Sequence, residues 1–280
     1  MPTLMERMRK MFPKASGTTL REMLEEGRVW VNGRRARSLK AAVSDGDTVE
    51  VRPRGPRRGT GESVEPLRLV HADDDLVVVE KPPGLLTSTV PGESRPTAAA
   101  ILRRWAAARD PRLRVGVIHR LDQDASGLLV FTLTHAAYRD LKRRLRERRL
   151  SRVYHALVHG APQPAEGTIR SKLVESADGT VRPARGDEEG QLAVTRFTTL
   201  RAGGEVSLIR LELETGRKHQ IRVQCAQRGF AVVGDRLYGP RPPRGRRLML
   251  CATRLAFGHP RTGEKLVFEI DPPADMLRPF

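Results

Sequence analysis

The segment HRLDQDASG, residues 119–127, places charged and polar side chains between two apolar runs of the chain. Residues 117–118 precede it and residues 128–131 follow it, so the chain leaves one predicted strand and soon returns to the core. Asp122 lies in the middle of this segment. A carboxylate there could act as a nucleophile or a base, but it could also cap backbone N–H groups in a turn. Taken alone, the segment favours the turn.

Two further segments contain side chains that could take part in chemistry. Tyr154 lies in the strand-like segment VYHALVHG, where a tyrosine is usually a half-buried core residue. The segment TGRKHQIR turns at residues 215–216 and begins a predicted helix near Lys218, which ends at Gly229. The N–H groups at the start of that helix, together with Arg222, are suited to bind an anion. The alternative is a solvated basic first turn, although basic residues are unfavourable at the positive end of a helix.

Motifs for cofactors and metals are absent from the sequence. It contains no Gly-x-Gly-x-x-Gly, no Walker phosphate loop and no Gly-x-Ser-x-Gly element. Its seven histidines lack the spacing of metal ligands. We therefore expect neither a cofactor nor a metal. Cys225 and Cys251 are too few for a disulfide framework and form no Cys-x-x-Cys pair, so we expect both to be reduced in a cytoplasm.

The net charge is the strongest indication that composition provides. The 280 residues include 51 Lys and Arg against 33 Asp and Glu, which gives a net charge of +18. Arginine predominates, and it forms bidentate contacts with phosphate and stacks on bases, so we expect a nucleic-acid partner. A GC-rich genome would explain the arginine bias but not the excess of positive charge. No run of about 18 apolar residues and no secretory signal occur, so we expect a cytoplasmic protein without a membrane partner.

A stretch rich in Pro, Gly and Arg divides the sequence into two predicted domains. We take residues 53–66 as a basic linker, with a small domain at 1–52 and a large domain at 67–280. The small domain contains a predicted short helix that ends at Gly27, followed by a hairpin over an Asn-Gly turn and a further strand.

The large domain is predicted to consist mostly of strands. Strands are expected at 67–70 and 76–79, a basic amphipathic helix at 136–149, and a hairpin over residues 178–179. Strands outnumber helices and show no regular βαβ alternation. The predicted fold class is therefore α+β, with a large mixed or antiparallel sheet flanked by helices.

Taken together, these segments resemble a known family in their order along the chain. VVVEKPPGL, HRLDQDASGLLVFTLT, YHALVHG, TGRKHQIRVQCAQRGFAVVGDRLYG and LAFGHP are similar to the motifs of the RluA-type RNA pseudouridine synthases, over residues 67–272. Residues 18–51 more weakly resemble the small α-L RNA-binding domain that often precedes these synthases, through EEGRVWVNGRRA and SDGDTVEV. The chain departs from the family pattern at Glu80, Ala125 and Arg152, and none of these changes removes a reacting group.

The resemblance implies an isomerase that breaks the N-glycosidic bond of a uridine in RNA, rotates the base and rejoins it through carbon, without cofactor or metal. Asp122 would be the catalytic carboxylate, Tyr154 would lie against the uracil, and Arg222 would pair with Asp122. Arg120 would lie at the rim, where it contacts RNA or fills the gap left by an extruded nucleotide. We assign no catalytic role to His119 or His219. Further RNA contacts are expected from Arg217, Lys218, His219, Gln220 and Ile221.

The RNA target and the role of the carboxylate are left open by the sequence. Asp122 could attack the ribose, add to the ring or remove a sugar proton. A leading α-L domain favours large-subunit ribosomal RNA as the substrate, with transfer RNA as the alternative. A non-catalytic RNA-binding or ribosome-assembly protein of the same fold is a further alternative, and it would predict loss of Asp122, Tyr154 or Arg222. A nuclease or deaminase would require motifs that do not occur. We expect a monomer.

Overall fold

The structure, a computed structural model, describes residues 2–25, 28–44, 46–51, 64–89, 94–241 and 247–279. Within these ranges the chain builds a three-stranded sheet near its N-terminus and an eleven-stranded sheet from the remainder. None of the described helices is long and apolar enough to cross a membrane.

The N-terminal unit contains α1 (Leu4–Met11), α2 (Gly17–Glu25), β1 (Val29–Val31), β2 (Arg34–Arg35) and β3 (Val49–Val51). Thr3 and Glu6 cap the start of α1, because each side chain accepts a hydrogen bond from the backbone N–H of the other residue. Asn32 and Gly33 both have positive φ, as the predicted two-residue turn between β1 and β2 requires. Residues of α1, α2 and β1 form a core separate from those of the large sheet.

The larger unit is built from strands with four helices between or after them. Its elements are β4 (Arg68–Ala72), β5 (Leu76–Lys81), α3 (Ala98–Arg109), β6 (Gly116–Val117), β7 (Ser126–Thr132), α4 (His135–Arg146), β8 (Ser151–His159), β9 (Glu166–Glu175), β10 (Val181–Pro183), β11 (Gln191–Ala202), β12 (Val206–Leu213), α5 (Gln220–Gln227), β13 (Leu250–Gly258), β14 (Lys265–Glu269) and α6 (Ala274–Leu277). The predicted strands at 67–70 and 76–79 and the predicted basic helix correspond to β4, β5 and α4.

The large sheet is mixed. Its strands follow the order β10-β9-β11-β12-β8-β13-β7-β5-β4, with β14 paired to β13 and β6 paired to β7. The pair of β13 and β7 is parallel, whereas the other pairs of this sheet are antiparallel. The predicted α+β class with a large mixed sheet is therefore confirmed.

Both faces of the sheet are covered around β7, which explains the apolar sequence of this strand. All seven residues of β7 are buried. Leu129 and Phe131 pack in a core that includes residues of α3 and α5. Leu128 and Val130 pack in a second core that includes residues of α4. A strand buried on both faces has a continuous apolar run in place of an alternating pattern.

The loop that carries Asp122 does not adjoin an edge strand of the large sheet. The loop leads directly into β7, and β7 lies between β13 and β5 in the interior of the sheet. Asp122 therefore precedes an interior strand. Strands on both sides of β7 pair with its backbone, which at an edge would be left partly unpaired.

Some helices differ from the sequence-based prediction. Neither α1 nor α3 was predicted, although Thr97 caps α3 by accepting a hydrogen bond from the N–H of Ala100. Helix α5 begins at Gln220, two residues later than expected, because His219 has a φ of 51°, in the left-handed region. The helix stops before Gly229, which has a positive φ, as expected of a residue that follows a helix end.

The N-terminal unit contacts the large sheet beside the turn between β13 and β14. Arg28 forms an ion pair with Glu264 in which both side chains are largely buried. Val64 already packs in the core of the large sheet, so the chain enters the larger unit before residue 67. Most of the predicted linker lies outside the described residues, and the division into domains at 52 and 66 stays a prediction.

Gly127 allows β7 and β13 to lie side by side. Its φ is +113°, a conformation that residues with a side chain rarely adopt. A Cβ added at this position would lie 2.2 Å from the carbonyl oxygen of Ala252, its partner in the parallel pair. A glycine is therefore required both by the local backbone and by the neighbouring strand.

We predict that Gly127→Ala lowers the free energy of unfolding by about 3 kcal/mol or more, because the added methyl group must displace the backbone of β13. Gly160→Ala is the matched control: its φ is +69°, but an added Cβ would meet nothing within 4 Å. The control should lose only about 1 kcal/mol, the cost of the left-handed backbone. Urea unfolding measures both values, and equal losses would contradict the steric explanation.

Candidate active site

The loop that carries Asp122 is held on both sides by buried side chains. Before Asp122, the Thr87 hydroxyl donates to the carbonyl of Leu121 at 2.8 Å and accepts from the N–H of the same residue at 3.1 Å. After it, the Lys81 ammonium donates to the carbonyl of Gln123 at 2.9 Å. The backbone next to the carboxylate is thus fixed on either side, which sets the direction in which the side chain leaves the loop.

Lys81, the last residue of β5, is fully buried. Its ammonium also donates to the carbonyls of Pro82 and Leu85, each at 2.8 Å. Burial lowers the pKa of Lys81 to about 8, and the charges of Asp124 and Asp122 oppose that shift. The three hydrogen bonds use all three donors of the ammonium, so Lys81 holds the loop and has no donor left for a substrate.

Arg222 joins two carboxylates that are far apart in the sequence. Its Nη1 donates to Asp122 at 3.1 Å, while its Nε and Nη2 donate to the two oxygens of Asp235 at 2.8 and 2.9 Å. Burial alone would lower the pKa of Arg222, but Asp235 and Asp122 outweigh it and raise this pKa above its usual value. The Asp235 side chain is fully buried, whereas that of Asp122 is 21% exposed. The guanidinium is therefore anchored on Asp235 and presents one donor to Asp122.

Tyr154 lies on β8, close to Asp122. It is buried, with 5% of its surface exposed. Burial raises the pKa of its hydroxyl above the usual value; Arg152 opposes this shift and the charge of Asp122 adds to it. The hydroxyl therefore stays protonated at neutral pH.

Asp122, Tyr154 and Arg222 line one cavity of about 1070 Å³. The three residues that the sequence predicted as catalytic are thus brought together. The basic residues of the same wall are Arg120, Lys142, Arg146, Arg148, Arg152, Arg217 and Lys218. A concave surface with this excess of cations attracts an anionic ligand.

Comparison with known proteins identifies the family. Residues 75–227 match the family described as RNA pseudouridylate synthase, which is more than half of the chain and includes the three residues above. The chain belongs to the RluA-type RNA pseudouridine synthases. It is therefore an isomerase that converts uridine in RNA to pseudouridine.

Relatives and solved structures agree with this assignment. An uncharacterised RNA pseudouridine synthase of Mycobacterium bovis is 35% identical, over 93% of this chain and 88% of that protein. Ribosomal large subunit pseudouridine synthase D of Neisseria meningitidis serogroup B is 33% identical, over 95% of this chain and 75% of that protein. The structure of human RNA pseudouridylate synthase domain containing 1 is 31% identical, with a TM-score of 0.61 over 77% of this chain and 87% of that chain. Human RNA pseudouridylate synthase domain containing 4, 22% identical, shares the fold with a TM-score of 0.64 over 76% of this chain and 91% of that chain.

Three of the residues predicted to contact RNA lie at the mouth of the synthase cavity. Arg120, Arg217 and Lys218 are exposed and line it. Arg217 donates from Nε to the carbonyl of Leu192 at 3.1 Å, and Lys218 pairs with Glu175 at 2.6 Å. Only Arg120 has neither kind of internal contact among the described residues. The RNA contacts of all three stay a prediction.

The other three predicted contact residues are more deeply placed. His219 bonds through Nδ1 to the hydroxyl of Tyr238 at 2.8 Å. The side-chain oxygen of Gln220 accepts from the N–H of Arg217 at 3.0 Å, which closes the turn before α5. Ile221 packs in the core. Each of the three also lines the cavity, and their contacts with RNA stay a prediction.

Two residues that build this site of the synthase had no role in the sequence-based prediction. Asp235 anchors Arg222, and the ring of Tyr238 lies 5.1 Å from the guanidinium. Both belong to the segment VVGDRLYG, in which an aspartate follows an apolar run and a glycine. Gly234 there has a positive φ, and a Cβ would lie 1.8 Å from the carbonyl oxygen of Arg247. In the sequence, the only indication that Asp235 belongs to the site is its position directly after an apolar run and a glycine.

Asp73, Asp75 and His259 form a buried group outside the cavity, with possible metal-ligand atoms within 4.8 Å of one another. The histidine spacing in the sequence did not indicate this group. Asp73 already bonds to His71 at 2.8 Å and to His259 at 3.2 Å, and Asp75 pairs with Arg261 at 2.7 Å. These contacts give each of the three side chains a partner within the protein, and we assign no metal to this group.

The two cysteines of the synthase are buried free thiols. Burial raises the pKa of Cys225 well above its usual value, and it raises that of Cys251 to about 11. Both therefore remain protonated at neutral pH and are poor nucleophiles.

We predict that Arg222→Ala lowers the free energy of unfolding by about 3 to 5 kcal/mol, because it leaves Asp235 buried without its partner. Adding Asp122→Ala should restore little of this loss, since Asp122 is partly exposed. Adding Asp235→Ala should restore more. Urea unfolding of the single and double variants measures the difference, and equal recovery by the two second changes would contradict the anchoring by Asp235.

Proposed function

We propose that this enzyme converts uridines of large-subunit ribosomal RNA to pseudouridine, with Asp122 as the catalytic carboxylate. The target is supported by the relative from Neisseria meningitidis, whose name states a ribosomal large subunit substrate. The alignment covers 95% of this chain and so extends into the N-terminal unit. The net charge of +18 supports an extended contact with a structured RNA.

The observation that carries the catalytic part of the proposal is the arrangement of Asp122, Arg222 and Asp235 in the cavity wall. Two nitrogens of Arg222 donate to Asp235, and the third nitrogen, Nη1, donates to the Asp122 carboxylate and orients it. A carboxylate fixed in this way is preorganised to act on a bound nucleotide as nucleophile or base. Fixing it beforehand removes part of the entropic cost of the reaction.

The reaction requires a proton transfer as well as a bond exchange. The glycosidic bond from uracil nitrogen to ribose breaks, a carbon–carbon bond forms, a proton leaves the ring carbon, and a proton is gained by the nitrogen. We assign assistance with the loss of the ring proton to Tyr154. Because its raised pKa keeps the hydroxyl protonated, Tyr154 relays a proton to a second acceptor and does not begin as a tyrosinate.

Arg120 takes a separate role in this proposal. It is exposed at the cavity mouth, two residues before Asp122. A uridine inside a folded RNA must be extruded before a side chain can reach its glycosidic bond. The guanidinium of Arg120 can stack in the gap that the extruded base leaves, because it is planar and positively charged.

We predict that deletion of the gene removes pseudouridine from one or more positions of large-subunit ribosomal RNA and that the wild-type gene restores it. Asp122→Asn should not restore it, because the amide can act neither as nucleophile nor as base. The amide can still accept the hydrogen bond of Arg222, so RNA affinity should stay within about tenfold. Pseudouridine mapping of total RNA and a binding assay give the two measurements.

Asp124→Asn is the matched control, since Asp124 is an exposed carboxylate of the same loop that does not line the cavity. It should restore the modification. Modification by Asp122→Asn would contradict the catalytic role, and losses confined to transfer RNA would assign that RNA as the substrate. Unchanged pseudouridine in all RNA after deletion would favour a non-catalytic RNA-binding protein.

We also predict that Tyr154→Phe folds and binds RNA as the wild type does but turns over at least about 100-fold more slowly, because the ring is kept and the proton relay is lost. Single-turnover tritium release from uridine-labelled RNA measures the rate. Tyr154→Leu is a useful comparison, since it also removes the aromatic ring and should weaken binding. Wild-type rates in Tyr154→Phe would show that the residue serves only as core.

A further inference from the structure

Two buried side chains in the cavity wall, His119 and Arg152, have polar atoms that find no partner in the described chain. His119 is 6% exposed and Arg152 is 8% exposed, and both line the cavity. Neither ring nitrogen of His119 has a hydrogen-bond partner, and the Nε of Arg152 has none. A buried polar atom without a partner costs about 1–3 kcal/mol, so folded proteins contain few of them. Three such atoms lie on two residues that line one cavity, so the side chains of this wall have unused hydrogen-bonding capacity.

Among the described residues of the wall, Arg152 is buried and has no carboxylate partner, whereas Lys142, which also has none, is only half-buried. Lys142 donates to the carbonyl of Ile118 at 2.9 Å, and Arg148 pairs with Glu214 at 3.6 Å. Among the described residues Arg152 has no carboxylate partner, and its contact is a hydrogen bond from Nη2 to a backbone carbonyl at 3.3 Å. A buried guanidinium without a counter-ion is suited to an anion from outside the protein.

The Thr215–Gly216 turn holds the Arg152 guanidinium in place. The carbonyl of Thr215 accepts its hydrogen bond. A Cβ at Gly216 would lie 2.5 Å from Nη1, so the missing side chain leaves the space that the guanidinium occupies. Arg152 is therefore fixed by the backbone of the turn and does not need an acidic partner for its orientation.

His119 is a neutral imidazole in this site. Burial lowers the pKa of His119 to about 3, with further contributions from the charges of Arg152 and Lys142. A neutral imidazole has one N–H donor and one acceptor nitrogen. The pair therefore offers two donors without a partner, the charged Nε–H of Arg152 and the N–H of His119, and one acceptor, the other ring nitrogen of His119.

We propose that His119 and Arg152 bind an internucleotide phosphate of the RNA beside the target uridine. The identity of the ligand rests on the proposed function, because the substrate of the enzyme is RNA. A phosphodiester carries a negative charge and offers only acceptors, which match the guanidinium and the imidazole N–H. The acceptor nitrogen of His119 matches a ribose hydroxyl, which RNA places close to each phosphate.

The proposal gives the loop of Asp122 a second task. His119 lies three residues before Asp122 on the loop that Thr87 and Lys81 hold. A phosphate bound by His119 is therefore at a fixed distance from the carboxylate. Because the phosphate is covalently joined to the ribose, binding it determines how the sugar meets Asp122.

The test compares the binding of two short RNAs to the full-length protein. One is the trinucleotide UpUpU, and the other is the same trinucleotide with neutral methylphosphonate linkages. For the wild type, the methylphosphonate should raise the dissociation constant by about tenfold or more, the worth of a charged hydrogen-bonded contact. In Arg152→Gln this ratio should fall to about twofold. Arg170→Gln is the control, an exposed strand residue outside the cavity that loses the same charge, and it should keep the wild-type ratio.

His119→Phe separates binding from stability. Because neither nitrogen of His119 has an internal partner, the phenyl ring should leave the melting temperature unchanged or raise it. The ratio between the two RNAs should nevertheless fall, since the imidazole N–H is lost. A lowered melting temperature together with an unchanged ratio would mean that His119 serves packing only.

Equal ratios in the wild type, Arg152→Gln and Arg170→Gln would overturn the proposal, because His119 and Arg152 would then hold water. These assays need no chemical step, so a failure of the phosphate site can be distinguished from a failure of the proposed function. A phosphate-dependent ratio without pseudouridine formation in cells would keep the phosphate site and reject the function. Pseudouridine formation in cells together with equal ratios would keep the proposed function and reject the phosphate site.

Discussion

A single buried guanidinium holds together the parts of the chain that make the site. Arg222 lies on α5, Asp122 precedes β7, and Asp235 follows α5, and the three meet only through this side chain. A buried cation must be paired, and Asp235 provides that pairing from a fully enclosed position. The set contains two carboxylates and one cation, so one formal negative charge is left over. It lies on the more exposed partner, Asp122, which faces a wall of arginines.

The large sheet makes this arrangement rigid. Since β7 is buried on both faces and paired on both sides, the end of the loop that joins this strand is held by the core. Lys81 and Thr87 add hydrogen bonds to the loop backbone from the neighbouring segment of the chain. The position of the carboxylate is thus determined by the core as much as by the cavity.

Strand patterns predicted the fold class, and the resemblance to a known family, which rests on the order of several motifs, predicted the three residues that meet in the cavity. The helix α3 was missed because its alanine-rich sequence shows only a weak alternation of apolar and polar faces at the helical period. The interior position of β7 could not be read from one strand, since pairing partners are distant in the sequence. Asp235 was missed for the same reason: a lone acid after an apolar run has no meaning until the chain brings it to Arg222. The orphaned atoms of His119 likewise depend on the whole environment of the side chain.

The state of the cysteines has a practical consequence for watching this protein at work. Both thiols are enclosed and resist ionisation, and alkylating reagents act on exposed thiolates. A maleimide dye should therefore leave the natural cysteines untouched in the folded state. A single cysteine introduced on the surface could carry a fluorophore selectively, without first replacing Cys225 and Cys251 and disturbing the core around α5 and β13. Fluorescence could then follow the arrival and departure of RNA in real time.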